Sequence, residues 1–295
     1  MSDTRMEQFA TGTEPVEITV ATGAGRIDVR LTEDEGVDVE VRHAPEDANP
    51  WADGMTNLVN WFTTQFGTEK PTGPDDAAAE AVRRTRIELV GGRLVVRSPK
   101  EPQLRGIPIA VSVRAPAGSS VSARSGAASV RVAGVADRVE VTTGAGTIDV
   151  AETTGLVQAT SGTGAIKVGP APAGVQARTG RGEVELSAIG GSTQVVTGGG
   201  DVWLGTITGD VTVRSGTGDI TVADAVAGKV ELTTGSGALR VGIRPGAPAE
   251  VDVSSGSGEA RSELPLVGVP PADAPALRVR ARTGLGSALV TPASR

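Results

Sequence analysis

A Ser/Thr-Gly pair recurs in this chain at a constant interval, and no other feature limits the fold so tightly. It falls at Ser125, Thr143, Ser161, Thr179, Thr197 and Ser215, eighteen residues apart each time, then at Thr234, Ser255 and Thr283 as the interval loosens to nineteen, twenty-one and twenty-eight. A tenth copy stands upstream at Thr22. Self-similarity at a fixed period marks a repeat architecture, in which each unit buries its apolar face only against its neighbours.

Around each pair the pattern is V-x-(V/A)-x-(S/T)-G-x-G-x-(V/I)-x-(V/L), as in VEVTTGAGTIDV from Val139 and VTVRSGTGDITV from Val211. Apolar and polar residues alternate on both sides of the glycines with the period of a strand. Val139, Val141, Ile148 and Val150 are therefore expected inside, with Glu140, Thr147 and Asp149 outside. The glycines stand where the inward set changes parity, so Gly144 and Gly146 mark a corner that needs a positive φ or leaves no room for a Cβ. The variable stretch that follows, AETTGL from Ala151 or GTITGD from Gly205, is long enough for a short third side. The fold class is all-β: a single-stranded parallel β-helix (β-solenoid) of about 18-residue coils, each stacked on the next, with one helical insertion. A meander or sandwich also uses two strands and a tight turn. Recurrence of the same residue types at a constant period, without Asn-Gly turns, points away from it.

Composition agrees. Tyr and Cys are absent, aromatics are 2% of the chain, and small β-branched side chains suit a thin stack of strands better than a wide globular core. Without cysteine there is no disulfide, thiol nucleophile or thiolate metal site.

Residues 16–31 (VEITVATGAGRIDVRL) repeat the coil motif and VDVEVRH at 37–43 adds an alternating strand, so 1–43 reads as N-terminal solenoid coils. Strand periodicity returns with RIELVGGRLVVRS from Arg86 and runs through the main repeat domain, 86–295, which leaves 44–85 as a helical insertion and linker. The insertion carries PWADGMTNLVNWFTTQF from Pro50, with Trp51, Met55, Leu58, Val59, Phe62 and Phe66 at helical spacing. This helix is expected either to cap the apolar columns of the solenoid or to dock a partner through Trp51, Met55, Val59, Phe62 and Phe66. The PTGPDDAAAEA stretch from Pro71 reads as a mobile linker with a helical Ala-rich end.

A net charge of -7 with scattered Lys and Arg excludes a nucleic-acid partner. The start of the chain shows no basic region followed by an apolar run, and nowhere do eighteen apolar residues adjoin, so a cytoplasmic location is expected. Membrane-surface binding is not expected, since 44–69 has no Lys or Arg.

Chemistry-bearing motifs are scarce. The repeated Gly-x-Gly lacks the third glycine of a dinucleotide fingerprint, with Asp149, Lys167, Glu185, Trp203 and Thr221 in its place, and no helix follows. TGGGDVWLG from Thr197 and SGTGDITV from Ser215 approach a calcium-binding nonapeptide, but Asp201 and Asp219 directly follow their glycines, and such Asp residues favour turns on their own account. The only histidine, His43, ends a predicted strand. Glu183 and Glu185 share one strand face about 7 Å apart by strand geometry, a separation found in glycosidases, yet no aromatic side chain accompanies them. The column before each Ser/Thr-Gly pair is too charged and irregular for an ice-binding face. No catalytic residue, cofactor or metal is assigned.

EPVEITVATGAGRIDVR near the start, VSVRAPAGSSVSARSGAASVRV from Val111 and the repeated motif together resemble the bacterial "putative adhesin" family, a domain of unknown function. The resemblance covers most of the chain outside the insertion. It implies a β-solenoid and a surface role, and supplies no catalytic residues. A looser similarity is to bactofilins, which implies self-assembly. Ala, Gly and Val usage with Arg in place of Lys suggests a high-GC, actinobacterial source. The function expected is a non-catalytic scaffold or protein-interaction module with a protein partner or self-assembly. The alternative is an envelope-associated adhesin or stress-response module, and the outlier a carbohydrate-active enzyme.

Overall fold

The structure is a computed structural model that describes residues 4–47, 74–265 and 275–293. The helix expected from Pro50 to Phe66, with Trp51, Met55, Leu58, Val59, Phe62 and Phe66, lies outside these residues. The described chain forms two compact units, residues 1–136 with 141–146, and residues 137–140 with 147–295.

In the second unit the repeat is a parallel β-solenoid. Each coil contributes two strands, as in Val157–Ser161 with Ile166–Ala171, or Val175–Thr179 with Val184–Ile189. Equivalent residues pair in register from coil to coil, Val157 with Val175, Val184 with Val202 and Val211 with Val230. Columns such as Ile166, Val184, Val202, Ile220 and Leu239 are fully enclosed, and each Val, Ile or Leu so buried contributes about 1.5–3 kcal/mol. Outward residues alternate with them. The third side is the bent end of the second strand: in Ile166–Ala171, Gly169 and Pro170 both face outward before Ala171 returns inside, joined by Ile189, Ile207, Ala225 and Ile243 in later coils.

The stack departs from sequence order at its C-terminal end. Strand Gly228–Ser236 pairs in parallel with Leu277–Leu285, which pairs on its other side with Ala249–Ser257. Leu239–Ile243 likewise pairs with Ala288–Pro292, and that strand with Ala260–Ser262. The last coil in sequence is therefore inserted between the two that precede it. The inward residues explain the order. Leu277, Val279, Ala281, Ala288 and Val290 are apolar and buried, whereas the 249–262 coil offers Ala260 and Ser262 on its second strand, with Ser262 exposed. A hydroxyl on the inward face belongs at the end of a stack, where water reaches it, rather than inside it. Outward charge agrees, with Arg278 beside Glu250 at 3.3 Å and Arg280 beside Asp252 at 3.2 Å.

The first unit is woven in a similar way. Strand Glu17–Thr32 pairs in parallel with Ser120–Ala136 on one side, and on the other with Arg93–Arg97 and Pro108–Pro116. The upstream coil motif thus lies in a parallel stack, between two coils that follow it in sequence. The 37–43 strand does not continue a parallel stack. Val37–His43 runs antiparallel to Pro108–Pro116 and receives Thr4–Phe9 antiparallel on its far edge. Arg86–Val90 and Arg93–Arg97 form a hairpin across Gly91 and Gly92, whose φ values of 58° and 76° suit a two-residue turn.

The expected linker is, over its described part, an α-helix, Pro74–Arg84. Pro stands at the first position and Arg83 and Arg84 in the last turn, where each is favoured. Ala78, Ala81 and Val82 recur at helical spacing and are buried in the first unit, the helix packing against Val37–His43 and Thr4–Phe9. Thr85 Oγ1 donates to Ala81 O at 2.8 Å, and Arg5 Nη1 to Thr85 O at 2.6 Å.

Candidate functional site

The repeated corner has both properties its glycines imply. A Cβ on the first glycine would strike the first glycine one coil away, as at Gly180, 2.4 Å from Gly162 O, and Gly198, 2.6 Å from Gly180 O. The second glycine reaches φ of 144° at Gly200 and 126° at Gly218.

The corner has two forms that the repeat motif alone does not distinguish. At Ser125, Thr143, Ser161 and Thr179 the side-chain oxygen accepts the N–H three residues on, as from Gly146 at 3.1 Å and Gly182 at 3.0 Å. These hydroxyls point inward. Thr143 and Thr179 also donate to a carbonyl of the neighbouring coil, Ala128 O at 3.1 Å and Gly164 O at 3.3 Å. From Thr197 onward the second glycine is turned over, and its N–H points along the stack: Gly200 to Thr217 O at 3.0 Å, Gly218 to Ser236 O at 2.9 Å, Gly237 to Leu285 O at 2.8 Å. The buried hydroxyls then only donate, Thr234 to Gly218 O and Thr283 to Gly237 O. Thr197 sits at the changeover, and its buried hydroxyl has no partner.

Asp201 and Asp219 hold backbone. Asp201 Oδ1 accepts the N–H of Asp219 and Asp219 Oδ1 that of Ala238, each at 2.8 Å. Among the described residues no group of three or more His, Asp or Glu side chains could hold a metal ion. Glu185 is engaged by Lys167 Nζ at 2.7 Å, and this hydrogen bond, with the attraction of the same carboxylate, raises the Lys167 pKa. His43 ends its strand half-buried. Asp201 and Asp219 are thus brought together on consecutive coils, as are Lys167 and Glu185.

What the fold does present is a set of outward columns fixed by the strand register. Gln158, Gln176 and Gln194 stand on three consecutive coils, with Thr212 next. On the following strand Lys167, Glu185, Trp203, Thr221 and Arg240 form another column. Trp203 keeps 38% of its surface exposed beside a column of small residues that includes Gly169, Ser187, Gly205 and Ala223. Alternation made each position legible as outward, but the pairing of positions across coils 228–292 needed the structure. No described helix is long and apolar enough to cross a membrane.

Residues 112–267 match the model of the Toastrack DUF4097 family. The chain belongs to that family of β-solenoid repeat proteins. The matched span includes the corner motif from Ser125 to Ser255. Solved structures similar to this chain include a "putative adhesin" from Bacteroides fragilis, 12% identical with a TM-score of 0.48, covering 99% of this chain and 97% of that one. A "putative adhesin" from Parabacteroides distasonis is 11% identical with a TM-score of 0.31, covering 98% and 97%. A "putative lipid binding protein" from the same species is 11% identical with a TM-score of 0.31, covering 99% and 97%. No curated protein matches the chain.

Proposed function

We propose that this protein is a non-catalytic β-solenoid that works as a protein-interaction module or scaffold in the bacterial cytoplasm. The observation that carries the reading is the outward register. A parallel stack holds equivalent side chains about 4.8 Å apart along straight columns, so a partner meets a surface already ordered before it binds. Gln158, Gln176 and Gln194 give such a column with donors and acceptors at each step. Scarcity of titratable machinery in the sequence supports the same reading, since one histidine and no cysteine leave few routes to nucleophilic or general-base chemistry.

The test is affinity isolation from the native cell with the wild-type chain and with a Gln158→Arg/Gln176→Arg/Gln194→Arg variant whose circular dichroism is unchanged. A defined partner held by the wild type and released by the variant supports the reading. A strictly monomeric protein that holds no partner, or one held equally by both, counts against this face. Fractionation places the protein in the cytoplasm on this reading, and a signal confined to the envelope would favour an adhesin role instead.

A further inference from the structure

The two corner forms meet between the coil of Thr179 and the coil of Thr197, and the junction leaves a notch in the surface of the second unit. It is shallow and open to solvent, and is lined by Gly180, Arg181, Gly198, Gly199, Gly200 and Thr217. The notch has two causes. The position between the two glycines carries Arg181 and Thr217 in the flanking coils but Gly199 in the middle one, so a side chain is missing from the row. In addition, Gly199 lies within a strand and pairs with Thr217, whereas Arg181 lies past the end of its own strand, so the row is also broken in backbone geometry.

The broken row exposes polar groups of one kind. Gly199 N–H donates to Gly180 O at 3.0 Å, and in an extended strand the N–H and C=O of one residue face the same side. Gly199 C=O therefore faces the Thr179 coil. The group that would meet it there, judged by the bond from Gly200 to Thr217 O in the next pair of coils, is Gly182 N–H. That N–H is turned inward to Thr179 Oγ1 at 3.0 Å. An acceptor thus stands in the notch beside the Thr217 hydroxyl, whose Oγ1 lies 2.9 Å from where a Gly199 Cβ would be.

Three guanidinium groups stand near the notch, along with the carboxylates of Glu183 and Asp201. Arg178 and Arg214 flank Val196 in register, one coil to either side, and Arg181 lines the cavity itself. All three are exposed, and none makes a hydrogen bond or ion pair with another side chain among the described residues. Other arginines of the unit are paired, such as Arg278, Arg280 and Arg282 with Glu250 and Asp252. Asp201, the carboxylate next to Gly200, accepts the Asp219 N–H. In a chain of net charge -7, three guanidinium groups so close together are unusual, although Arg214 is also drawn to Glu231 on the next coil.

We propose that this notch binds a small anionic sugar, with its carboxylate or phosphate on Arg181 and within reach of Arg178 and Arg214, and its hydroxyls on Gly199 C=O and Thr217 Oγ1. Guanidinium forks match both oxyanions. The glycine floor admits the face of a pyranose ring where a side chain at 199 would block it.

The test is titration of the ¹⁵N-labelled full chain with glucuronate, glucose 6-phosphate and, as the neutral control, glucose. Saturable shifts centred on the amides of Gly198, Gly199, Gly200 and Thr217 are expected with at least one anion and not with glucose. Which anion binds more tightly identifies the acidic group. Arg181→Gln should weaken binding about tenfold or more, the loss of a charge-assisted hydrogen bond. Gly199→Leu keeps every charge and fills the cavity, and should abolish binding while leaving the remaining amide spectrum in place. Absence of shifts at these amides up to about 10 mM of either anion overturns the proposal. So does binding that Gly199→Leu leaves unchanged, since that is the behaviour of a diffuse arginine patch.

Discussion

Replacing Thr179 and Thr197 by valine makes the same chemical change at two equivalent corners, and the structure requires opposite results. At Thr179 the hydroxyl accepts from Gly182 N–H at 3.0 Å and donates to Gly164 O at 3.3 Å. Valine preserves the shape and removes both partners. Gly182 is buried, so its N–H is stranded at a cost of about 1–3 kcal/mol, and the half-buried Gly164 carbonyl adds a smaller amount. Thr179→Val should therefore destabilise by about 2–3 kcal/mol. At Thr197 the hydroxyl is buried without a partner, because Gly200 N–H has turned to Thr217 O. Burying an unpaired hydroxyl costs about 1–3 kcal/mol, so Thr197→Val should be neutral or stabilise by about 1 kcal/mol. Urea unfolding followed by circular dichroism measures both. Long repeat arrays need not unfold as one unit, so hydrogen exchange at the Gly182 amide is read alongside and should accelerate only in Thr179→Val. Equal effects of the two substitutions, or a larger loss at Thr197, would refute the two-form account of the corner.

Other consequences can be measured as directly. Gly200→Ala places a Cβ 2.3 Å from Gly182 O at a φ of 144°, and should lower stability by more than the roughly 1–3 kcal/mol of the backbone strain alone. Gly199→Ala, which meets only the rotatable Thr217 hydroxyl, should change the urea midpoint little. With no native cysteine, the inserted coil can be mapped by cross-linking. Thr233→Cys/Arg282→Cys should form a disulfide on oxidation, because the two residues are adjacent in register, whereas Thr233→Cys/Ser254→Cys, two strand spacings or roughly 10 Å apart, should not. In acid, Glu231 is held below its ordinary 4.5 by its hydrogen bond to Lys229, and Glu80 by its hydrogen bonds to Arg83 and Arg84. A depressed carboxyl contributes stability that is present above the unfolded value and lost as pH falls through the folded one. The melting temperature should therefore fall as pH drops below about 4.5, and Glu80→Gln/Glu231→Gln should flatten that fall.

Coil period, inward alternation and the corner role of the glycines were legible because each depends on residues close in sequence. Val139, Val141, Ile148 and Val150 are buried as their spacing predicts. Spatial order was not legible from the period, since every coil carries the same motif and any coil can stack on any other. The signal lay in exceptions to the motif: Ser262 stands where other coils have Val or Leu, and RVRAR from Arg278 complements AEVDV from Ala249. Helix Pro74–Arg84 was partly hidden by its Pro and Asp residues, which read as linker until Ala78, Ala81 and Val82 are seen packed. The changeover at Thr197 had one visible sign, the third consecutive glycine of TGGG. The candidate partner-binding residues from Trp51 to Phe66 lie outside the described residues, and the notch at Gly199 joins three coils that no local pattern links.

Insertion of the 277–292 coil between 228–243 and 249–262 also constrains the order in which these coils can dock. A ribosome delivers residues at roughly 5–20 per second, so the 249–262 segment emerges before the coil that will separate it from its predecessor. During that interval the 228–243 edge is an open parallel template, and the segment first able to reach it is the wrong one. Native order then requires either that 249–262 waits undocked or that it is displaced when Leu277 to Pro292 arrive. The half-polar inward face of the early segment makes its premature seat weak and the exchange downhill. Residues 277–292 thus act as a wedge between two coils made before them, and nascent chains arrested before residue 277 should be selectively open to proteolysis over 249–262.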